Sequence, residues 1–475
     1  MQGTSKQSNP HRPLATSIAA ILMLSAPFAT VAATTWTVNT CSEANTGGGN
    51  TGSLRYAAAN ALSGDTIDLT STGCSTITLT TGSVLLAQDN ITLQGPGKTA
   101  FTLSSNNDRV ILHTGHGVLT VKALTVANGY LHPSLGTTAV GGCIRSNGAV
   151  SLDHTLVRSC RAVSVGAPVR GGGIYAANYV IAKYSEITGN SASNSGTNAN
   201  GGGGGVFTYN DIVLGNSTLS GNSAPTGAGG GVRAFRNATI IASTVSGNTA
   251  SVGGGLYARD NLTSQSDTFT LLNSTVSGNS ATSLVGGAWT NAGTTHIYNS
   301  TVAFNTAGSA SHYARDYSPG FNVDDTGAYY TDINHYAFKQ VLLESAVLSN
   351  NVSGNFANDF GMTRFSPLNL VRFNDPSKSS QDNLIFASSI SFPPTMATSG
   401  VCPLLGPLRD NGGPTKTHAL MSHSPAIDAG NASATGLGIY DQRVLPRLSG
   451  TKVDMGAYEV QQSDILFNAG FDGCG

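Results

Sequence analysis

The phrase STVSGNTA at residues 243–250 recurs as STLSGNSA from Ser217, STVSGNSA from Ser274 and STVAFNTA from Ser300, with a looser copy, SEITGNSA, from Ser185. Its asparagine falls at Asn190, Asn222, Asn248, Asn279 and Asn305, at intervals of 32, 26, 31 and 26 residues. A second mark alternates with it: GGGIYA at Gly171, GGGGGVFTY at Gly201, GGGVRA at Gly229, GGGLYA at Gly253 and GGAWT at Gly286. An earlier variant, GGCIRS at Gly141 followed by LVRSCRA, carries Cys143 in the place of the third glycine and Cys160 in that of the asparagine. A chain that repeats one unit of this length stacks that unit, because no single copy can bury a face alone.

Within each unit ATIIASTV and DIVLGNSTL alternate apolar and polar residues with period two, and no helical period competes. Strands this short fit a parallel β-helix, in which every rung hydrogen-bonds to the rungs above and below. Propeller blades repeat at about 40–50 residues, longer than these units. Glycine supplies the bends, and the recurrent asparagine suits an inward or corner position where stacked amides form a ladder. The apolar fraction of 39%, arranged periodically, excludes disorder despite 59 glycines. Only 10% of residues are charged and the net charge is −1, which argues against a nucleic-acid partner.

The expected organisation is a leader over residues 1–33, a coil over 34–400, a C-terminal segment over 401–459 that caps it, and a tail over 460–475. The leader carries Lys6, His11 and Arg12, then LATSIAAILMLSAPFATVAA, and reads as a signal peptide cleaved near Ala33. No other long apolar segment follows, so the mature chain is expected to lack a transmembrane segment. An open coil needs caps at both ends. The front cap is expected over 34–75, where GSLRYAAANALSGDTIDL places Leu54, Ala58, Ala61 and Leu62 on one stripe of a short helix ended by Gly64. Residues 308–340 read as an excursion from the coil, with Tyr313, Tyr317, Tyr329 and Tyr330 as candidate ligand contacts or as packing. The phrase VLLESAVLSNN, from Val341, resumes the rungs.

Six cysteines in an exported chain indicate disulfides, with fifteen connectivities open. Cys41 and Cys74 flank the N-terminal unit, Cys143 and Cys160 share one repeat, and Cys402 with Cys474 remains. Eight N-x-S/T triplets, among them Asn216, Asn237, Asn273 and Asn299, read as corner residues and not as glycan acceptors.

Catalytic residues are harder to find. Gly115-His116-Gly117 is similar to one polygalacturonase motif, but hydrolysis of a glycoside needs grouped carboxylates, and the one Asp pair, Asp324-Asp325, lies in the excursion. A calcium-dependent lyase needs several carboxylates in register, whereas Asp153, Asp211 and Asp260 do not recur in the repeat. No catalytic residue, metal site or cofactor is assigned. In the C-terminal segment His418, Asp428, Asp441, Arg443, Asp454 and Glu459 read either as an acid–base or metal group or as partners of backbone amides in a loop-rich cap, and the second reading is preferred.

The repeats resemble those of chlamydial polymorphic outer membrane proteins. GSLRYAAANALSGDTIDL, together with PLLGPLRDNGGPTKTHALMSHSPAIDAG and DQRVLPRLSGTKVDMGAYE, resembles the terminal signatures of choice-of-anchor Q domain proteins over about residues 35–459. Cys402 stands where such proteins often carry Asp, and the tail DILFNAGFDGCG reads as too short for a membrane barrel. The resemblance implies a right-handed parallel β-helix of the pectin-lyase type on an exported bacterial protein, extracellular or associated with the outer membrane. The expected function is therefore a non-enzymatic, adhesin-like scaffold that binds carbohydrate or another surface protein. The alternative is a lyase or hydrolase acting on acidic polysaccharide in a groove along the coil. The sequence weighs against an enzyme without deciding it, and it leaves the oligomeric state open.

Overall fold

The computed structural model describes residues 32–195, 201–259, 266–308, 318–324, 339–353, 356–357, 359–363, 371–373, 383–385, 397–431 and 438–464. The expected leader through residue 31, Tyr313, Tyr317, Tyr329, Tyr330 and Cys474 lie outside them.

From Thr34 onward the chain is one compact unit, a right-handed parallel β-helix. One turn runs Val232–Ala234, Ala238–Ile241, Thr244–Ser246 and Thr249–Val252, and each strand belongs to a different face. These first, second, third and fourth faces are sheets of 10, 14, 12 and 9 strands among the described residues. Register is kept from rung to rung: Val245 pairs with Leu219 on one side and Val276 on the other. Like residues therefore pile up inside, and Ile187, Leu219, Val245, Val276, Val302 and Leu348 form one buried column of the core.

Two left-handed corners let strands of three to five residues turn so soon. Between the second and third faces Tyr184, Asn216, Ala242, Asn273, Asn299 and Ser345 have φ of 46–49°. Asparagine tolerates that conformation better than most residues, which explains the N-S-T triplets at Asn216, Asn273 and Asn299. Between the third and fourth faces Gly189, Gly221, Gly247 and Gly278 have φ of 62–64°.

The residue after that glycine is the repeated asparagine, and it points inward. Asn222 donates from its backbone N–H and from Nδ2 to Oδ1 of Asn248, both at 2.9 Å. Its second Nδ2 proton goes to the Ile187 carbonyl of the preceding rung at 2.9 Å. The pattern repeats from Asn190 through Asn222, Asn248, Asn279 and Asn305, and continues to Asn351 and then Asp359. All six amides are buried. A serine ladder runs beside it, with the N–H of Ser185, Ser217, Ser243 and Ser274 each donating to the next serine hydroxyl at 3.0–3.2 Å.

The glycine triplet is the other half of the same packing. A Cβ on Gly230, the second of its triplet, would lie 2.3 Å from the Gly254 carbonyl oxygen, and one on Gly255, a third glycine, would lie 3.0 Å from Cγ of Asn279. In the turn where Cys143 and Cys160 stand in those places, a disulfide replaces the glycine–asparagine contact. Cys160 N–H still donates to Asn190 Oδ1 at 3.0 Å, so the ladder starts on the disulfide. A second disulfide joins Cys41 and Cys74. The Cys402–Cys474 pair involves a residue outside the described ones.

The front helix spans Leu54–Asn60, and Ser53 Oγ caps it by accepting from Tyr56 N–H at 3.2 Å. Its buried residues are Leu54, Ala57 and Ala58, followed by Ala61. Leu62 departs from the expected stripe and is 62% exposed, because the helix has already ended and Asp65 takes the Leu62 N–H into a turn.

Replacing Asn248 with Ala removes acceptors for two buried donors of Asn222, so stability should fall by roughly 2–5 kcal/mol. A urea midpoint unchanged from the parent would contradict the ladder's role.

Candidate functional site

The first-face strands that follow each glycine mark are three residues long, with the outer two buried in the core and the middle one facing out, as in Ile174–Ala176. Register turns those middle residues into one external column. Arg145 pairs with Tyr175, Tyr175 with Phe207, Phe207 with Arg233, Arg233 with Tyr257, and Tyr257 with Trp289. Tyr209 and Phe235, two residues further along their rungs, stand beside it.

Phe207 is the hub and is fully buried under its neighbours. Its ring lies 5.8 Å from Tyr175, 5.2 Å from Tyr209 and 5.6 Å from Phe235. Arg170 sits over Phe207 and Tyr209 at 5.7 and 5.6 Å, and Arg233 over Phe235 and Phe207 at 5.0 and 5.8 Å. Tyr175, Phe235 and Arg233 are half-buried and Tyr209 is exposed, so this part of the column is an open platform. Tyr257 and Trp289 are nearly buried and pack with Val285, Val252 and Leu284, so they continue the column as structure.

Three arginines frame the platform without a carboxylate. Among the described residues Arg145, Arg170 and Arg233 form no ion pair, whereas Arg236, in the same turn as Arg233, pairs with Asp267. Nε of Arg145 and Nε of Arg233 have no hydrogen-bond partner there. Burial, with Arg170 adding repulsion, pulls the Arg233 pKa below its ordinary value, and burial pushes Tyr175 up. The site has cations, ring faces and orphan donors, and it lacks a described acid or base placed for proton transfer.

Sequence reasoning missed this column. Its signal was the residue two places after the last glycine of each mark: Tyr175 in GGGIYA, Phe207 in GGGGGVFTY, Arg233 in GGGVRA, Tyr257 in GGGLYA and Trp289 in GGAWT. Read as glycine marks, those phrases hid the aromatic stack.

The C-terminal residues singled out by sequence lie in a segment laid along the outside of the third face. Thr415 Oγ1 donates to the Ala242 carbonyl at 3.2 Å, Gln442 bridges Thr244 and Thr275, and Ala457 N–H donates to Thr301 Oγ1 at 3.1 Å. The structure brings Asp428, Asp441, Arg443, Asp454 and Glu459 together. Asp441 accepts from the backbone N–H of Arg443, Leu445 and Glu459 and from Arg443 Nε. Asp454 accepts from Asp428 and Val460 N–H, Asp428 from Thr451 and Lys452 N–H, and Glu459 from Ser449 and Asp454 N–H. Arg443 stacks 3.7 Å above the Tyr458 ring. Burial pushes Glu459 up to about 7. With their lone pairs committed to backbone donors, these carboxylates hold loops in place. Among the described residues no group of three or more His, Cys, Asp or Glu could hold a metal ion.

His418 makes a separate contact set, with Nδ1 2.6 Å from the Gly406 carbonyl and Nε2 2.7 Å from Ser277 Oγ. The carbonyl can only accept, which assigns the proton to Nδ1 and makes the serine hydroxyl the donor to Nε2. His116 of the GHG triplet is exposed in a turn. Its flanking glycines are there for close packing, since Cβ atoms on Gly115 and Gly117 would meet the Gln88 carbonyl at 2.0 Å and the Asp89 carbonyl at 2.5 Å.

No protein-family model matches the sequence, and no curated protein matches it. Among solved structures, the crystal structure of pectate lyase Pel9A aligns at 13% identity over 90% of this chain and 96% of that one, with a TM-score of 0.39. A likeness at that level carries no argument about activity, and the fold assignment rests on the strand registers above.

Burial holds His418 neutral by lowering its pKa from 6.5 to about 4. The unfolded chain therefore binds the extra proton between those values, and stability falls as pH drops through the window. Glu459 works in the opposite sense, binding its proton in the folded state up to about 7. Comparing the parent with His418→Gln at each pH isolates the histidine. Between pH 7.5 and 5 the parent should lose about 2 kcal/mol more than the variant in urea unfolding. Parallel losses would refute the assignment.

Proposed function

We propose that this chain is an exported β-helix scaffold that binds carbohydrate on its first face, without cleaving it. The observation that carries the reading is the open cluster of Tyr175, Tyr209 and Phe235 around buried Phe207, held in register on successive rungs. A sugar ring offers an apolar C–H face and an edge of hydroxyls. Ring faces with polar donors at their border complement both. Rungs about 4.8 Å apart place the platform lengthwise along the coil, over roughly 10 Å from the Tyr175 rung to the Phe235 rung, as suits an extended chain of sugars. Export is supported by the disulfides and the leader-like N-terminus. The terminal phrases support placing the chain among choice-of-anchor Q domain proteins: one forms the capped front helix and the other the flank segment on the third face.

Titration of the full chain against a panel of plant, algal and bacterial polysaccharides tests the reading. Tyr209→Ala and Phe235→Ala should each weaken the best ligand about tenfold, with unchanged circular dichroism. Failure to bind any glycan, or affinity unchanged from the parent in both variants, would overturn it. Release of new reducing ends or unsaturated uronates would replace it with the polysaccharide-cleaving alternative.

A further inference from the structure

We infer that the ligand of the first face is an acidic glycan, its carboxylate or sulfate groups held by Arg145, Arg170 and Arg233 while its rings lie on the aromatic platform. The inference rests on the carbohydrate reading above and adds the charge of the ligand. Arg145 and Arg233 stand three rungs apart in one register column, roughly 14 Å along the axis. Arg170 lies beside that interval, over the rings of Phe207 and Tyr209. Three cations thus flank one strip of ring faces, and none meets a carboxylate among the described residues.

That arrangement is costly for the protein alone. Arg170 and Arg233 share Phe207 and repel each other, and two guanidinium Nε–H groups lack acceptors. Arg236 obtains a carboxylate in the very turn where Arg233 does not. An anion arriving with the ligand supplies the missing acceptors and relieves the repulsion, and guanidinium forks match carboxylate and sulfate oxygens. Rings with arginines also fit a single-stranded nucleic acid. The low overall charge and the short strip favour a glycan of sparser charge.

The test uses the full chain with four probes: polygalacturonate, chondroitin sulfate, fully methyl-esterified polygalacturonate and a single-stranded oligonucleotide. An acidic glycan should bind about tenfold or more tightly than the ester, and the advantage should shrink with added salt. A preference for chondroitin sulfate that is lost on its desulfation assigns the contact to sulfate, whereas one that survives desulfation, or a preference for polygalacturonate, assigns it to the uronate carboxylate. Arg233→Gln and, separately, Arg170→Gln should each lower the acidic affinity towards that of the ester. Arg170 makes no described side-chain hydrogen bond, so its variant keeps the test independent of folding. Equal affinity for ester and acid overturns the charge inference and leaves the platform standing, whereas no binding to any glycan removes the platform too. Tighter binding of the oligonucleotide overturns the inference in favour of nucleic acid.

Discussion

The coil depends on one buried column of amides. An asparagine side chain taken out of water costs several kcal/mol unless every donor and acceptor is met. Here each Nδ2 serves a carbonyl of the preceding rung and the Oδ1 of the following one, while each Oδ1 from Asn222 onward takes two N–H groups and that of Asn190 takes the Cys160 N–H. The arrangement works at one spacing and one register only. A rung that slipped by one residue would orphan its own amide and that of its neighbour, and the ladder therefore specifies alignment as well as contributing stability. The last glycine of four marks, Gly173, Gly205, Gly255 and Gly287, belongs to this constraint, because a Cβ there would lie 3.0–3.1 Å from Cγ of the amide.

Fixed register inside the coil is fixed register outside it. Once Ile174, Val206 and Val232 stack in the core, the residues after them must stack on the surface. The chain has placed tyrosine, phenylalanine and arginine there. A solenoid can thus build a long, flat, repetitive surface from three-residue strands without a separate binding domain. The second, third and fourth faces present different columns, and the third is occupied by the chain's own C-terminal segment.

The architecture was legible because repetition writes it five times: the Asn phrase and the glycine mark occupy defined corners, and their disulfide substitutes at Cys143 and Cys160 fall in the same two places. What was not legible had physical reasons. Asn351 extends the ladder beyond the five copies, but 46 residues separate it from Asn305 and the period breaks there. Leu62 fits a helical stripe only if the helix continues, and the backbone turns at Ala61. The aromatic column was not legible because its members differ in chemistry from rung to rung, so a shared register position marks them and a shared residue type does not. Aspartates of the C-terminal segment were legible as loop partners, since turn-rich sequence around acids leaves backbone amides in need of acceptors.

Crystallising the full chain with a bound acidic oligosaccharide tests most directly whether the internal register creates the binding surface. Density for the sugar chain should run along the coil axis over Tyr175, Tyr209 and Phe235, with its anionic groups at the flanking arginines. A ligand seated on the second or fourth face, or crossing the rungs at right angles to the column, would contradict the account.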